Sequence, residues 1–268
     1  MKEQDLAGKV AIITGAARGI GKATALCLAE RGCALILSGR EANTLEQVAG
    51  EAEKLGARAV CVAGDLRSEQ TAELLVSEAQ SNFKRLDYLV NSAGYAKPGP
   101  LLDLSLEVWQ QFLDLHLTAT LCCAQAAARN MIATGSKGRI VNLSSIAGSM
   151  AMYGNGAYGA CKAAVSALTR TLAIELAPHG ICVNAVAPGP VDTEGFRSAN
   201  SEEQYRERSR SIPLGRLAAP AEVAEMIAFL LSSQAEYISG QTFAVDGGAA
   251  AVGCYSFETY KRNGRSGC

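Results

Sequence analysis

The chain has 268 residues, 49% of them hydrophobic and 19% charged. Lys plus Arg number 25 and Asp plus Glu 26, a formal net charge of -1, which removes the global electrostatic reason for binding nucleic acid or an acidic membrane surface. A chain this long buries about three-quarters of its unfolded surface, so it needs no disulfide or metal staple, and the composition excludes collagen, coiled coil and disorder.

Short apolar runs alternate with longer helical patterns along the whole chain. Val10 to Thr14 predicts a buried strand, 20–31 a helix ended by Gly32, 34–38 a strand and 42–55 a helix closed by Gly56. Further strands are expected at 58–63, 86–90, 138–143, 181–187 and 241–245, with helices near 68–84, 105–133, 155–177 and 220–231. Strands this apolar are covered on both faces, as in a parallel sheet with helices on either side. The alternation is that of a doubly wound, Rossmann-like α/β fold, and with no linker or repeat we expect residues 1–268 to form one domain. Residues 190–219, irregular and rich in Gly, Pro, Ser and charge, are expected to be a substrate lid. Residues 249–268 form a C-terminal extension with Tyr255, Phe257 and Tyr260.

The nine cysteines include no CxxC pair and there are only two histidines, so no metal site is expected. Thiols inside apolar runs read as reduced, which suits the cytoplasm. The polar N-terminus has no signal-peptide core, and no apolar run reaches the length of a membrane span.

The segment Thr14-Gly15-Ala16-Ala17-Arg18-Gly19-Ile20-Gly21 joins the first strand to the first helix. Gly15 permits a tight turn, Gly19 lets backbone approach a pyrophosphate, and Gly21 lets helix and strand pack closely. The helix start, at Ile20, then presents free N–H groups and a positive dipole end to the anion. The second strand ends in Ser38-Gly39-Arg40, with no acid to hold a free ribose 2′-hydroxyl. Arg40 and Arg18 would instead pair with a 2′-phosphate, which favours NADP(H) over NAD(H). Asp65 and Leu66, at the end of the third strand, are placed to contact the adenine edge.

Tyr158 and Lys162 form a YxxxK pair that shares one helix face. Tyrosine has a pKa of about 10, and lowering it by about 3 units takes ~4 kcal/mol of preferential stabilisation of the phenolate. The Lys162 cation, with a positively charged nicotinamide, would supply that stabilisation. Ser144-Ser145, Asn91-Ser92-Ala93-Gly94 and Pro188-Gly189-Pro190-Val191-Asp192-Thr193 also fall at strand ends, on the sheet edge where open α/β folds bind ligands.

These motifs, with DGG at 246–248, give a chain that resembles the short-chain dehydrogenase/reductase superfamily in its roughly 250-residue, non-extended branch, over about residues 6–248. The resemblance implies a seven-stranded sheet in the order 3-2-1-4-5-6-7 and a small carbonyl or alcohol substrate. It also implies a homotetramer or homodimer built on the helices near 105–133 and 155–177. Tyr158 would be the general acid or base, Ser145 would bind the substrate oxygen, and Lys162 would hold the nicotinamide ribose. Asn91, Ala93 and Gly94 would line the cofactor, and Pro188, Gly189, Val191 and Thr193 would flank its nicotinamide.

The family places an Asn where this chain has His116, in a proton relay toward the lysine. His116 is either an altered relay with its own pH dependence, a buried histidine at a helix irregularity, or the mark of a disabled site. The last would make the chain a non-catalytic NADP-binding protein. A 3-oxoacyl thioester reductase is the alternative within the enzymes. An apolar pocket is expected from Ile146, Met150, Met152, Tyr153, Val191 and Phe196, and His179 is expected to cap a helix end.

Overall fold

In the computed structural model, which describes residues 5–252, the apolar runs become strands, buried on both sides in the centre of the sheet and partly exposed at its edges, β3 and β7. The strands are β1 (Val10–Thr14), β2 (Ala34–Gly39), β3 (Ala59–Ala63), β4 (Tyr88–Asn91), β5 (Arg139–Leu143), β6 (Cys182–Pro188) and β7 (Thr242–Val245). They form one sheet in the order β3-β2-β1-β4-β5-β6-β7, with every neighbouring pair parallel. Ile12 stands opposite Ile36 on one side and Leu89 on the other. The expected fold class and strand order are borne out.

The helices are α1 (Gly19–Glu30), α2 (Ala42–Lys54), α3 (Glu69–Phe83), α4 (Leu106–Leu113), α5 (Ala119–Thr134), α6 (Gly156–Leu176), α7 (Glu194–Ala199), α8 (Glu202–Ser211) and α9 (Pro220–Leu231). Side chains alternate across each strand, so one face packs Ile13, Leu35 and Val141 under α1, α2 and α9. The other packs Ile12, Ile36 and Ile140 under α3, α5 and α6.

The helix expected over 105–133 is interrupted. Asp114–Thr118 forms a π-helical turn between α4 and α5. The Thr120 hydroxyl donates to the His116 carbonyl at 2.9 Å, and the Asn91 amide donates to the Thr120 carbonyl at 3.3 Å. The π turn closes its hydrogen bonds one residue further along than an α turn does, and no single residue in the segment marks it. The lid segment holds α7 and α8, and a bridge from Val191 to Ala218 closes its base. Of the C-terminal extension, residues 253–268, with Tyr255, Phe257 and Tyr260, lie outside the described residues.

At the opposite edge of the sheet, Asp87 holds the start of β1 to β4. Its buried carboxylate accepts the Val10 N–H at 2.9 Å and both arms of the Arg85 fork at 2.8 and 2.7 Å. Asp87→Ala leaves that amide unpaired in the core, and the half-exposed Arg85 contributes less. We expect a loss of about 2–3 kcal/mol, seen as a thermal midpoint lower by roughly 4–12 °C in calorimetry. An unchanged midpoint would show that the carboxylate is not structural.

Candidate active site

The carboxyl ends of the strands are joined by short polar contacts. At the end of β1 the Thr14 hydroxyl accepts the N–H groups of Ser92 and Ala93 at 3.0 and 3.1 Å. This holds the loop after β4 against the glycine loop. Gly15 has φ +66, and a Cβ there would lie 2.8 Å from the Ala93 Cα. A Cβ on Gly21 would meet the Gly15 carbonyl oxygen, so Gly21 lets the start of α1 pack closely on the glycine loop. The start of α1 has no side-chain cap and no acidic residue in its first turn. Its free N–H groups suit an anion. Arg18 and Arg40 are exposed.

Ser38 is buried, and its Oγ has no hydrogen-bond partner among the described residues. Together with the uncapped helix, this fits a phosphate-bearing dinucleotide laid across the ends of β1 and β2. Leu66 is buried. Asp65, expected against the adenine, has its carboxylate engaged by the fork of Arg67 at 3.0 Å. Arg67 holds it below the usual carboxylate range, with a smaller contribution from Arg40. Arg67 was not singled out by the sequence, because ion pairing two residues apart across a turn leaves no motif.

Ser145, Tyr158 and Lys162 come together where β5 meets α6. The Ser145 hydroxyl pulls the Tyr158 phenol pKa down against a larger upward push from burial. The Lys162 ammonium is buried and donates to the Leu143 carbonyl at 2.6 Å. It lies 5.6 Å above the Tyr158 ring centroid. The lowering expected from the Lys162 cation is not among the effects that act on the phenol here, which are burial and the Ser145 hydroxyl. Burial lowers the Lys162 pKa to about 8. Next to them, Ser144 donates to the Lys162 carbonyl at 2.9 Å and shares a 2.7 Å contact with Ser166.

Asn91 is buried and donates to Asn142 at 2.9 Å, and Asn142 donates to Thr169 at 2.9 Å. Asn91 therefore acts inside the sheet as a tie between β4, β5 and α6. Asn142 and Thr169 were not anticipated, since isolated polar residues within apolar runs carry no spacing signal. Gly94 has one open face, and on the other the His116 ring lies so close that a Cβ would sit 2.5 Å from its Cε1.

At the far side of the cleft, Gly189 packs on the backbone of Asp246, and Val191 is buried. The Thr193 hydroxyl caps α7 by accepting the Phe196 N–H at 3.1 Å. Its methyl group lies against Gly19, so the base of the expected lid touches the glycine loop. Arg197 grips Asp192 through two contacts of 2.6 Å. Of the expected pocket residues, Ile146 and Val191 are buried, Met150, Met152 and Phe196 are half-buried, and Tyr153 is 93% exposed. The Gly99 N–H donates to the Gly154 carbonyl at 2.8 Å, which joins the two loops that form this wall. His179 is exposed at the end of a single 3-10 turn.

The cysteines among the described residues carry free thiols. No helix among those residues is long and apolar enough to cross a membrane.

Comparison with known proteins agrees with this geometry. Residues 15–250 match a family model described as enoyl-(acyl carrier protein) reductase. The cis-4-hydroxycyclohexanecarboxylate dehydrogenase of Sinomonas cyclohexanicum is 43% identical over 247 residues, covering 92% of this chain and 98% of that protein. The 3-oxoacyl-[acyl-carrier-protein] reductase of a Synechocystis strain is 41% identical over 245 residues, 91% of this chain and 97% of its own length. Among solved structures, a short-chain type dehydrogenase/reductase from Mycobacterium marinum superposes with a TM-score of 0.88 at 34% identity, covering 92% of this chain and 97% of that one.

The buried ammonium has a stability signature. With a folded pKa of about 8, below the ordinary lysine value of about 10.4, the folded chain binds this proton less tightly than the unfolded chain does. The cost to stability is full below about pH 8 and fades as pH rises to about 10.4. Relative to the parent, Lys162→Met is therefore expected to have its highest unfolding midpoint near pH 7. That relative midpoint should fall by a few degrees as pH is raised to about 10. A difference independent of pH in calorimetry would mean that the ammonium is not desolvated.

Proposed function

The chain belongs to the short-chain dehydrogenase/reductase superfamily and is an oxidoreductase acting on CH–OH donors; from that premise we propose that it transfers hydride between NADP(H) and a ketone or secondary alcohol. The observation that carries this reading is the meeting of Ser145, Tyr158 and buried Lys162 at the end of β5, across the cleft from the uncapped start of α1.

When bound, the nicotinamide supplies or accepts the hydride at the substrate carbon. Ser145 holds the substrate oxygen. Tyr158 gives its proton to that oxygen as the carbonyl becomes a hydroxyl, and takes it back in the reverse direction. Burial raises the phenol's pKa, so its protonated form dominates at neutral pH and favours carbonyl reduction there. Lys162 holds the nicotinamide ribose. Asn91, Ala93 and Gly94 line one side of the cofactor, and Pro188, Gly189, Val191 and Thr193 the other. Gly15, Gly19, Ile20 and Gly21 form the pyrophosphate cradle, with Ser38, Asp65 and Leu66 around the adenosine. The exposed Arg18 and Arg40, with no acid at the end of β2, support NADP(H) over NAD(H).

We assign the chain to a homo-oligomer built on α4, α5 and α6. Leu102, Leu106 and Tyr153 are 100%, 84% and 93% exposed, and large exposed apolar side chains there favour association. Free thiols suit a reducing compartment such as the cytosol. A 3-oxoacyl thioester is the second substrate class, supported by the 41% identity to a 3-oxoacyl-[acyl-carrier-protein] reductase.

Initial rates on ketones, cyclic and acyclic secondary alcohols and acetoacetyl thioesters, with both nucleotides, test the assignment. Tyr158→Phe is expected to abolish turnover and leave nucleotide affinity within about threefold; retained turnover removes Tyr158 from its role. Arg40→Ala is expected to reduce the preference for NADP(H) by about tenfold or more, and a parent that prefers NAD(H) overturns the cofactor assignment. Sedimentation is expected to give a dimer or tetramer, and a monomer at micromolar concentration rejects the oligomer.

A further inference from the structure

His116 occupies the π-helical turn and is 1% exposed. Residues from three segments enclose its ring. Phe112 from α4 stacks on it at 5.5 Å and 14°. Tyr95, from the loop after β4, lies at 5.7 Å. Tyr158 from α6 meets it edge-on at 5.4 Å. The Gly94 backbone fits against the ring where a side chain would collide. The charged or titratable groups that bear on it are Tyr95, Tyr158 and Lys162.

The two ring nitrogens have different surroundings. Nε2 accepts the Tyr95 backbone N–H at 3.4 Å, so it carries no proton. In a neutral imidazole the proton is then on Nδ1. That Nδ1 is buried and has no hydrogen-bond partner among the described residues. We propose that His116 is a positioning residue, an Nδ1-protonated neutral imidazole that ties the pocket-wall loop 94–99 to the Tyr158 ring and neither gains nor gives up a proton during turnover. The inference rests on the assignment of Tyr158 as the acid–base group.

The surroundings support the neutral state. Burial, and then the field of Lys162, push the His116 pKa down to about 3. A second cation beside the buried ammonium would be uncompensated. The ring is instead a spacer between Phe112 and Tyr158, and its Nε2 pins the wall at Tyr95, which is joined through Gly99 to the loop at Gly154.

The chain has only two histidines, so protein grown with heavy-nitrogen-labelled histidine gives two pairs of ring-nitrogen signals, with the exposed His179 as internal reference. His116 is expected to remain neutral and Nδ1-protonated from about pH 5 to pH 8. A His116 signal that titrates in that range, or that carries its proton on Nε2, overturns the proposal. This readout needs no turnover, so a failure to find any substrate counts against the oxidoreductase assignment and leaves this inference to the spectrum.

In an active enzyme, His116→Phe keeps the ring stack and removes the acceptor for Tyr95. Losing that one hydrogen bond is expected to raise KM by about tenfold and to change kcat by less than about threefold. The pH profile of kcat/KM should keep its shape. A KM within about twofold of the parent removes the tether, and an inflection near neutrality that is present in the parent and lost in the variant identifies His116 as a proton carrier.

Discussion

The Lys162 ammonium is buried, 2.6 Å from the Leu143 carbonyl at the end of β5, and it sits at the centre of a polar architecture. A cation removed from water loses several kcal/mol of solvation that neighbouring dipoles restore only in part. Those dipoles therefore have to be fixed in place. Ser144 and Ser166 hold the first turns of α6 against the end of β5. Asn142, Asn91 and Thr169 form a buried chain that fastens α6 to β5 and β4. Satisfied networks of this kind rigidify, because in a low dielectric each broken bond is expensive.

The same economy of space governs the rest of the cleft. The glycine loop, the loop after β4 and the base of the lid touch one another through Thr14, Gly15, Gly19 and Thr193. The surface offered to a dinucleotide is thus assembled from the ends of β1, β4 and β6, with mostly backbone and short side chains at the contacts. Long cations stand outside it. Arg18 and Arg40 are exposed, and Arg67 is engaged with Asp65. Backbone lines the glycine loop, and exposed positive charge stands at its rim.

Much of this was legible in the chain. Strands buried on both faces announce themselves as unbroken apolar runs, and each of the seven was located to within two residues. The glycine loop, Ser145, Tyr158, Lys162 and the Pro188–Thr193 segment all come to the carboxyl edge, as their positions after strands required. Local pattern was silent where structure depends on partners distant in sequence. The π turn at 114–118 leads into a segment whose Thr120 carbonyl is held by Asn91 of β4, a contact that no local pattern carries. The direction of the Lys162 side chain, toward Leu143, and the capture of Asp65 by Arg67 are also contacts without a motif.

The histidine at position 116 separates the two sources of information most clearly. From the sequence alone it had three readings: altered relay, buried filler or disabled site. Its protonation depends on which groups surround the ring, and those come from α4, α6 and the loop after β4. By itself, the sequence determined the fold class, the order of elements, and which residue types would collect at one edge of the sheet, because hydrophobic periodicity and turn chemistry are local. Only the tertiary structure decided which of those groups are buried, which hydrogen bond they use, and hence which of them hold or move a proton. Desolvation and hydrogen-bond partnering are set by residues far apart in the chain.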